Sequence, residues 1–298
     1  MPLEIQIVSD LHLEFWPNKK KFNFIKPTAK ILALLGDICC CSNDDDFLIF
    51  QRFIEELLPH YEHIIHIAGN HEYYTTVSKK TPIGIQNTIP FINEKIRSWF
   101  KSKSKKLHFL SNNCLKLTID GKSYKICGTT LWTWIPLEHR KRMQSVMNDY
   151  SYIYTIDTKK PNRNKLYEST SLSSTSSSTS SSTNTPRLIT SDDVADMFLK
   201  NVTYLKQQII KAKKLSIPLI ILTHHKPYQE KTYNANAFDS AYESDLSKLI
   251  CSPVKLWAYG HTHKKTNIKI NGVMIYSMPK GYPNQRTGFN PADKITIE

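Results

Sequence analysis

The chain has 298 residues, a formal net charge of +14, and 40% hydrophobic and 11% aromatic residues. That composition belongs to a folded globular protein, and the length suits one large domain or two small ones. No apolar run reaches the ~18 residues of a membrane helix, and Met1-Pro2-Leu3-Glu4 lacks the pattern of a secretory leader, so a membrane-spanning or secreted protein is not expected.

The first two apolar runs, Ile5–Val8 and Ile31–Leu35, read as buried strands. Cys39, Cys40 and Cys41 follow. Contiguous cysteines without a CxxC pair read as packed, reduced thiols in a cytoplasmic protein. Phe47, Phe50, Ile54 and Leu57 fall on one helical face, and another strand is expected at His63–Ile67. The stretch between Gly84 and Lys106 reads as a loop. Asp120-Gly121 marks a hairpin between Leu115–Ile119 and Ser123–Cys127. From about Lys159 to Arg187 the chain turns polar, and Ser169–Ser182 is almost pure Ser and Thr. Such a tract has no apolar surface to offset its ordering entropy, so a disordered insertion into a single domain spanning 1–298 is expected. Ser191-Asp192 opens a helix striped by Val194, Phe198, Val202, Leu205 and Ile209. A strand at Ile217–Leu222, a helix around Ala241–Ile250 and a strand at Lys255–Tyr259 come next. Asn271-Gly272 marks a second hairpin. The alternation predicts an α/β protein with a mixed sheet.

What ends each strand carries the functional signal. Ile5–Val8 runs into Ser9-Asp10-Leu11-His12, Ile31–Leu35 into Gly36-Asp37, and His63–Ile67 into Ala68-Gly69-Asn70-His71-Glu72. Ile217–Leu222 runs into Thr223-His224-His225, and Lys255–Tyr259 into Gly260-His261-Thr262-His263. Each residue alone is an ordinary loop or cap residue. Loops at the carboxyl ends of strands in an open α/β sheet share one edge, however, so all five should converge. Carboxylates, imidazoles and an amide oxygen without thiolate suit Mn, Fe or Zn. Asp10, Asp37, Asn70 and three or four histidines exceed the needs of one tetrahedral ion and suffice for two sharing a bridging carboxylate. Paired ions activate a bridging water and neutralise phosphoryl oxygens in phosphate-ester hydrolysis.

The five blocks, in that order and spanning Asp10 to His263, resemble the calcineurin-like metallophosphoesterases. Gly128-Thr-Thr-Leu-Trp132-Thr, Met147-Asn-Asp149-Tyr150, Ala241-Tyr-Glu-Ser-Asp245-Leu and Pro279-Lys280-Gly281-Tyr282 extend the likeness to a subgroup of that family whose substrates are mostly unidentified. The resemblance implies a four-layer αββα sandwich of two mixed sheets flanked by helices, with a dinuclear site at the strand ends. It implies that Asp10, His12 and His263 hold one ion, that Asp37 bridges, and that Asn70, His224 and His261 hold the second. The first histidine after the strand, His224 rather than His225, takes the ligand role. His71 corresponds to the non-ligand histidine that serves the leaving oxygen, so His71, Asp37 and Asn70 form the expected catalytic group. Glu72 either holds the loop or contacts His71. The protein-phosphatase branch has an acid three residues after the bridging aspartate, partnering that histidine; Cys40 stands there instead. Trp132, Trp134, Asp149, Tyr150, Lys280 and Tyr282 are candidate cleft residues.

The expected activity is metal-dependent hydrolysis of a phosphomonoester or phosphodiester on a small phosphorylated substrate, with no membrane partner. Basic runs at Lys19–Lys21, Lys101–Lys106 and His139–Arg142 motivate an alternative, a nuclease or RNA-debranching activity. A non-catalytic metal-binding scaffold is the third reading. Oligomeric state is not legible.

Overall fold

A computed structural model describes residues 2–16, 22–75, 83–157, 185–230 and 237–297. The Lys19–Lys21 run and residues 159–184 of the expected insertion lie outside them. Among the described residues no helix is long and apolar enough to cross a membrane.

The first half of the chain builds one sheet and its helical cover. β1 (Leu3–Val8) and β2 (Ile31–Leu35) pair in parallel. α1 (Asp44–Leu57) starts at Asn43, whose side chain accepts from the Asp46 amide at 2.8 Å, with Asp44, Asp45 and Asp46 in the first turn. β3 (His63–Ile67) extends the sheet beside β2. Residues 84–106, expected as a loop, instead contain α2 (Ile89–Lys103), because Ile92, Ile96 and Phe100 form a buried stripe at four-residue spacing. β4 (Leu107–Phe109) then pairs with β3.

The second half builds the facing sheet. β5 (Asn113–Ile119) and β6 (Lys122–Thr129) form the expected hairpin, with Asp120 and Gly121 both left-handed. α3 (Leu137–Val146) and α4 (Asp149–Tyr152) lead to β7 (Tyr154–Ile156), which pairs antiparallel with β8 (Pro186–Leu188). Pro186 and Arg187, expected inside the polar insertion, thus belong to a strand. α5 (Ser191–Lys214) opens with a capping box in which Thr190 and Asp193 exchange hydrogen bonds. β9 (Leu219–Thr223) starts two residues later than expected, because Ile217 donates its amide back to Ala212 and closes the end of α5. The helix expected at Ala241–Ile250 is two separate 3-10 turns, Ala237–Ala241 and Ser247–Leu249. Between them the chain pairs across to another loop, Ser244 donating to Lys226 O and Leu246 to Pro227 O, which diverts the amides from helical bonding. β10 (Val254–Ala258), the hairpin of β11 (Thr266–Ile270) and β12 (Val273–Ser277), and β13 (Ile295–Ile297) complete the order.

Two mixed sheets result, β13-β1-β2-β3-β4 and β11-β12-β10-β9-β6-β5. Their inner faces share one core, where Ile5, Ile7, Ala33 and Ile65 meet Ile126, Ile220, Leu222 and Leu256. Their outer faces are sealed by helices, with Phe50, Phe53 and Ile96 on one side and Phe198, Leu205 and Ile209 on the other. Burial on both faces explains why β2 and the Leu219–Leu222 part of β9 read as unbroken apolar runs.

The facing sheet comes close at Gly128 of β6. A Cβ there would lie 2.5 Å from Leu110 Cβ and 2.7 Å from Ile67 Cγ2. Gly128→Ala is expected to lower unfolding free energy by about 1–3 kcal/mol through overpacking, measured by urea denaturation; an unchanged midpoint would show that the sheets part freely.

Candidate active site

Five parallel strands deliver their polar ends to one edge of the sandwich. Asp10 and His12 follow β1, Asp37 follows β2, Asn70 and His71 follow β3, His224 follows β9, and His261 and His263 follow β10. Asp10, His12, Asp37, His261 and His263 have φ between 47° and 65°. Left-handed backbone costs a side-chain-bearing residue about 1 kcal/mol or more, so these loops bend where regular structure would not. Gly36 supplies the close approach: a Cβ on it would sit 2.5 Å from Gly69 N and 2.6 Å from His224 Nδ1.

Beneath the site, Glu72 is fully buried and accepts from three amides, Asp37 N and Ile38 N at 2.9 Å and Gly69 N at 2.6 Å. Of its two expected roles, this is the loop-holding one. Burial and the nearby Asp37 push its carboxyl up to about 7 against the pull of those donors. Asp37 Oδ1 in turn accepts from His71 N at 2.9 Å, and Asp10 accepts from His261 N at 2.9 Å.

The imidazoles are aimed by what holds their outer nitrogens. His12 Nδ1 faces Glu14 Oε1 at 3.4 Å, His263 Nδ1 meets Gln285 Oε1 at 2.7 Å, and His224 Nδ1 meets Leu35 O at 2.8 Å. An Nδ1 hydrogen given outward leaves Nε2 turned to the centre. There His12 Nε2 and His263 Nε2 stand 3.1 Å apart, and His224 Nε2 stands 3.2 Å from His261 Nδ1 and 3.1 Å from Asn70 Oδ1. Asp149 Oδ1 accepts from Asn70 Nδ2 at 2.9 Å, which turns the amide oxygen inward. Three groups of donor atoms each fall within 4.8 Å: His12–Glu14–His71 and, facing the centre, Asp10–His12–His263 and Asp37–His224–His261. His12 Nε2 lies 3.9 Å from Asp37 Oδ2, which joins the central two.

The buried carboxylates demand positive charge. Burial pushes the His224 imidazole down, but Asp37 and Asp10 bring it up to about 10. His71 is likewise pushed down by burial and brought up to about 9 by Asp37, Glu14 and Asp149. Burial raises Asp37, yet His224, His71 and His12 hold it well below the usual carboxylate range. Close-set nitrogens backed by acids are the donor chemistry a divalent cation fits.

The seven expected ligand residues and His71 are therefore neighbours in space. His225 turns away, Nδ1 meeting Thr130 O at 3.2 Å, and burial lowers it to about 3. The cysteine run stays outside: Cys39 Sγ donates to Asp46 O, Cys41 Sγ to Cys39 O, and burial pushes all three thiols well up. A cleft of about 350 Å³ opens on the site beside Tyr74, Asp149, Tyr242 and Tyr282. Trp132 and Tyr150, two other cleft candidates, are buried in the core. Trp134 stacks under Arg140, and Lys280 lies over Trp16 at 4.7 Å. The sequence reading did not find Glu14, Tyr74 or Gln285; no local pattern marks them, since each reaches the site through a turn. A larger cavity of about 560 Å³ opens among Pro2, Pro27, His60 and Asp120 and contains none of these donors.

The family model for calcineurin-like phosphoesterases matches residues 3–265. The chain belongs to this family. It is a hydrolase of phosphoric ester bonds, from a family that depends on paired metal ions. It is 29% identical over 317 residues to an uncharacterised protein of Acanthamoeba polyphaga mimivirus, covering 99% of this chain and 96% of that one. The fold is similar to phosphopantetheinyl hydrolase from Mycobacterium tuberculosis, with TM-score 0.59, 13% identity, and 95% and 90% of the two chains covered. A Staphylococcus aureus structure described as a candidate 5'-nucleotidase matches 95% of this chain and 49% of its own at 11% identity, with TM-score 0.43.

Removing the Glu72 carboxylate leaves three buried amides without acceptors. Glu72→Ala is expected to cost about 3 kcal/mol or more, read from the urea midpoint; a loss below about 1 kcal/mol would mean that water replaces the carboxylate.

Proposed function

We propose that this phosphoesterase hydrolyses a small phosphomonoester or phosphodiester with two divalent ions, Mn, Fe or Zn, held by Asp10, His12, Asp37, Asn70, His224, His261 and His263. The observation that carries this is the pair of donor groups joined at His12 and Asp37. Asp10, His12 and His263 hold one ion, Asn70, His224 and His261 the other, and Asp37 both. Bound there, the ions supply a nucleophilic hydroxide at neutral pH and neutralise phosphoryl oxygens. The protein does the rest. Leu35 O fixes the His224 imidazole, Gln285 fixes that of His263, and Asp149 fixes the Asn70 amide. His71, lining the cleft and stacked on Tyr74 with centroids 4.2 Å apart, serves the leaving oxygen.

Among the described residues no lysine or arginine lines the cleft. That favours a substrate whose only charge is the phosphoryl group over a nucleic acid strand, whose neighbouring phosphates call for cationic walls. The basic residues Arg97, Lys101 and Lys105 border a different groove. Cleavage of RNA or DNA with steep salt dependence would favour the nuclease reading instead.

Two measurements test the assignment. Exhaustive chelation is expected to abolish hydrolysis of an aryl phosphate and Mn to restore it; activity that survives chelation excludes the mechanism. His71→Ala is expected to lower kcat by about 100-fold or more while elemental analysis still finds near-stoichiometric metal. Metal loss in that variant would move His71 into the ligand set.

A further inference from the structure

His12 sits on left-handed backbone, and Leu13–Phe15 then close a 3-10 turn in which Phe15 N donates to His12 O at 3.0 Å. This turn carries Glu14 inward, where its side chain is only 7% exposed. Oε1 accepts from His71 Nδ1 at 3.0 Å and faces His12 Nδ1 at 3.4 Å. Oε2 is buried without a hydrogen-bond partner among the described residues. Tyr74 stacks on the His71 ring at an interplanar angle of 22°, and its hydroxyl is tied to Asp149 Oδ1 at 2.6 Å. The imidazole is thus held at its edge by an acid and on its face by an anchored phenol.

We infer that Glu14 is the positioning residue of His71: by accepting the Nδ1 hydrogen it fixes the ring plane and directs Nε2–H at the leaving oxygen. The inference rests on the proposed role of His71. When the bond from phosphorus to the leaving oxygen breaks, the departing electron pair takes the Nε2 proton. The attacking water oxygen forms the new bond to phosphorus, and the proton it gives up restores the imidazolium. Ester plus water becomes alcohol plus phosphate. An acid beside Nδ1 stabilises the charged ring before transfer and holds its aim throughout.

The test compares Glu14→Met, Glu14→Gln and His71→Ala with the parent chain, each loaded with Mn. Substrates are phenyl phosphate, whose leaving oxygen needs a proton, and 4-nitrophenyl phosphate, whose leaving oxygen does not. Glu14→Met, which keeps bulk but no acceptor, is expected to lose about 10–100-fold in kcat on phenyl phosphate. Its rate on 4-nitrophenyl phosphate should stay within a few-fold, with metal content unchanged. Glu14→Gln, which keeps an acceptor on the same stem, should recover part of the rate and secures the test if the Met variant folds poorly. In the zinc-loaded protein, side-chain ¹⁵N shifts should report a hydrogen on Nδ1 of His71 in the parent and Gln variants and its loss in the Met variant. If His71→Ala steepens the leaving-group dependence but Glu14→Met does not, the inference fails and the role of His71 stands. If His71→Ala leaves that dependence unchanged, the role of His71 fails and the inference with it. Loss of one metal equivalent in Glu14→Met would assign Glu14 to His12 and overturn the inference.

Discussion

The site depends on amides that no strand can satisfy. Where β2 and β3 end, the backbone turns too sharply for ladder bonding, and one fully buried carboxylate, Glu72, takes three N–H groups at once. That clamp ties the Asp37 loop to the Gly69 loop. With it in place, Asp37 can face His224 and His12 while its own Oδ1 receives the His71 amide. Remove the clamp and two of the five loops lose their register. The other three lean on one another through Asp10, which takes the His261 amide, and through Gly260, whose amide is received by His224 O.

Much of this was legible from residue order. Strands buried on both faces announce themselves as largely apolar runs, and polar residues abutting them stand out, which is why the five loops are visible in the sequence. The two hairpins were legible because Asp-Gly and Asn-Gly accept left-handed backbone at low cost. The helix α2 was not: its buried Ile92, Ile96 and Phe100 alternate with exposed Phe91 and charged residues, which blurs the stripe. The 241–250 segment had helical spacing but lost its amides to Lys226 and Pro227, a tertiary competition that spacing does not encode.

The site itself was legible as a cast and not as a geometry. The sequence supplied Asp10, His12, Asp37, Asn70, His71, His224, His261 and His263, but not what orients them. Gln285 reaches His263 across 22 residues and Asp149 reaches Asn70 across 79. Glu14 lies close by in sequence, yet only the unusual backbone of His12 turns it inward. Lys280 shows the converse: a lysine beside a cleft motif invites a phosphate contact, but the faces of Trp16 and Phe24 hold it elsewhere.

The left-handed backbone at Asp10, His12, Asp37, His261 and His263 sets function against fold stability in a particular direction. At each of these positions glycine would relax the chain and delete a donor in one substitution. An enzyme so arranged has a downhill path to silence. Descendants released from selection for hydrolysis would shed their donors first and keep the sandwich longest, outwardly intact relatives with an empty-handed rim.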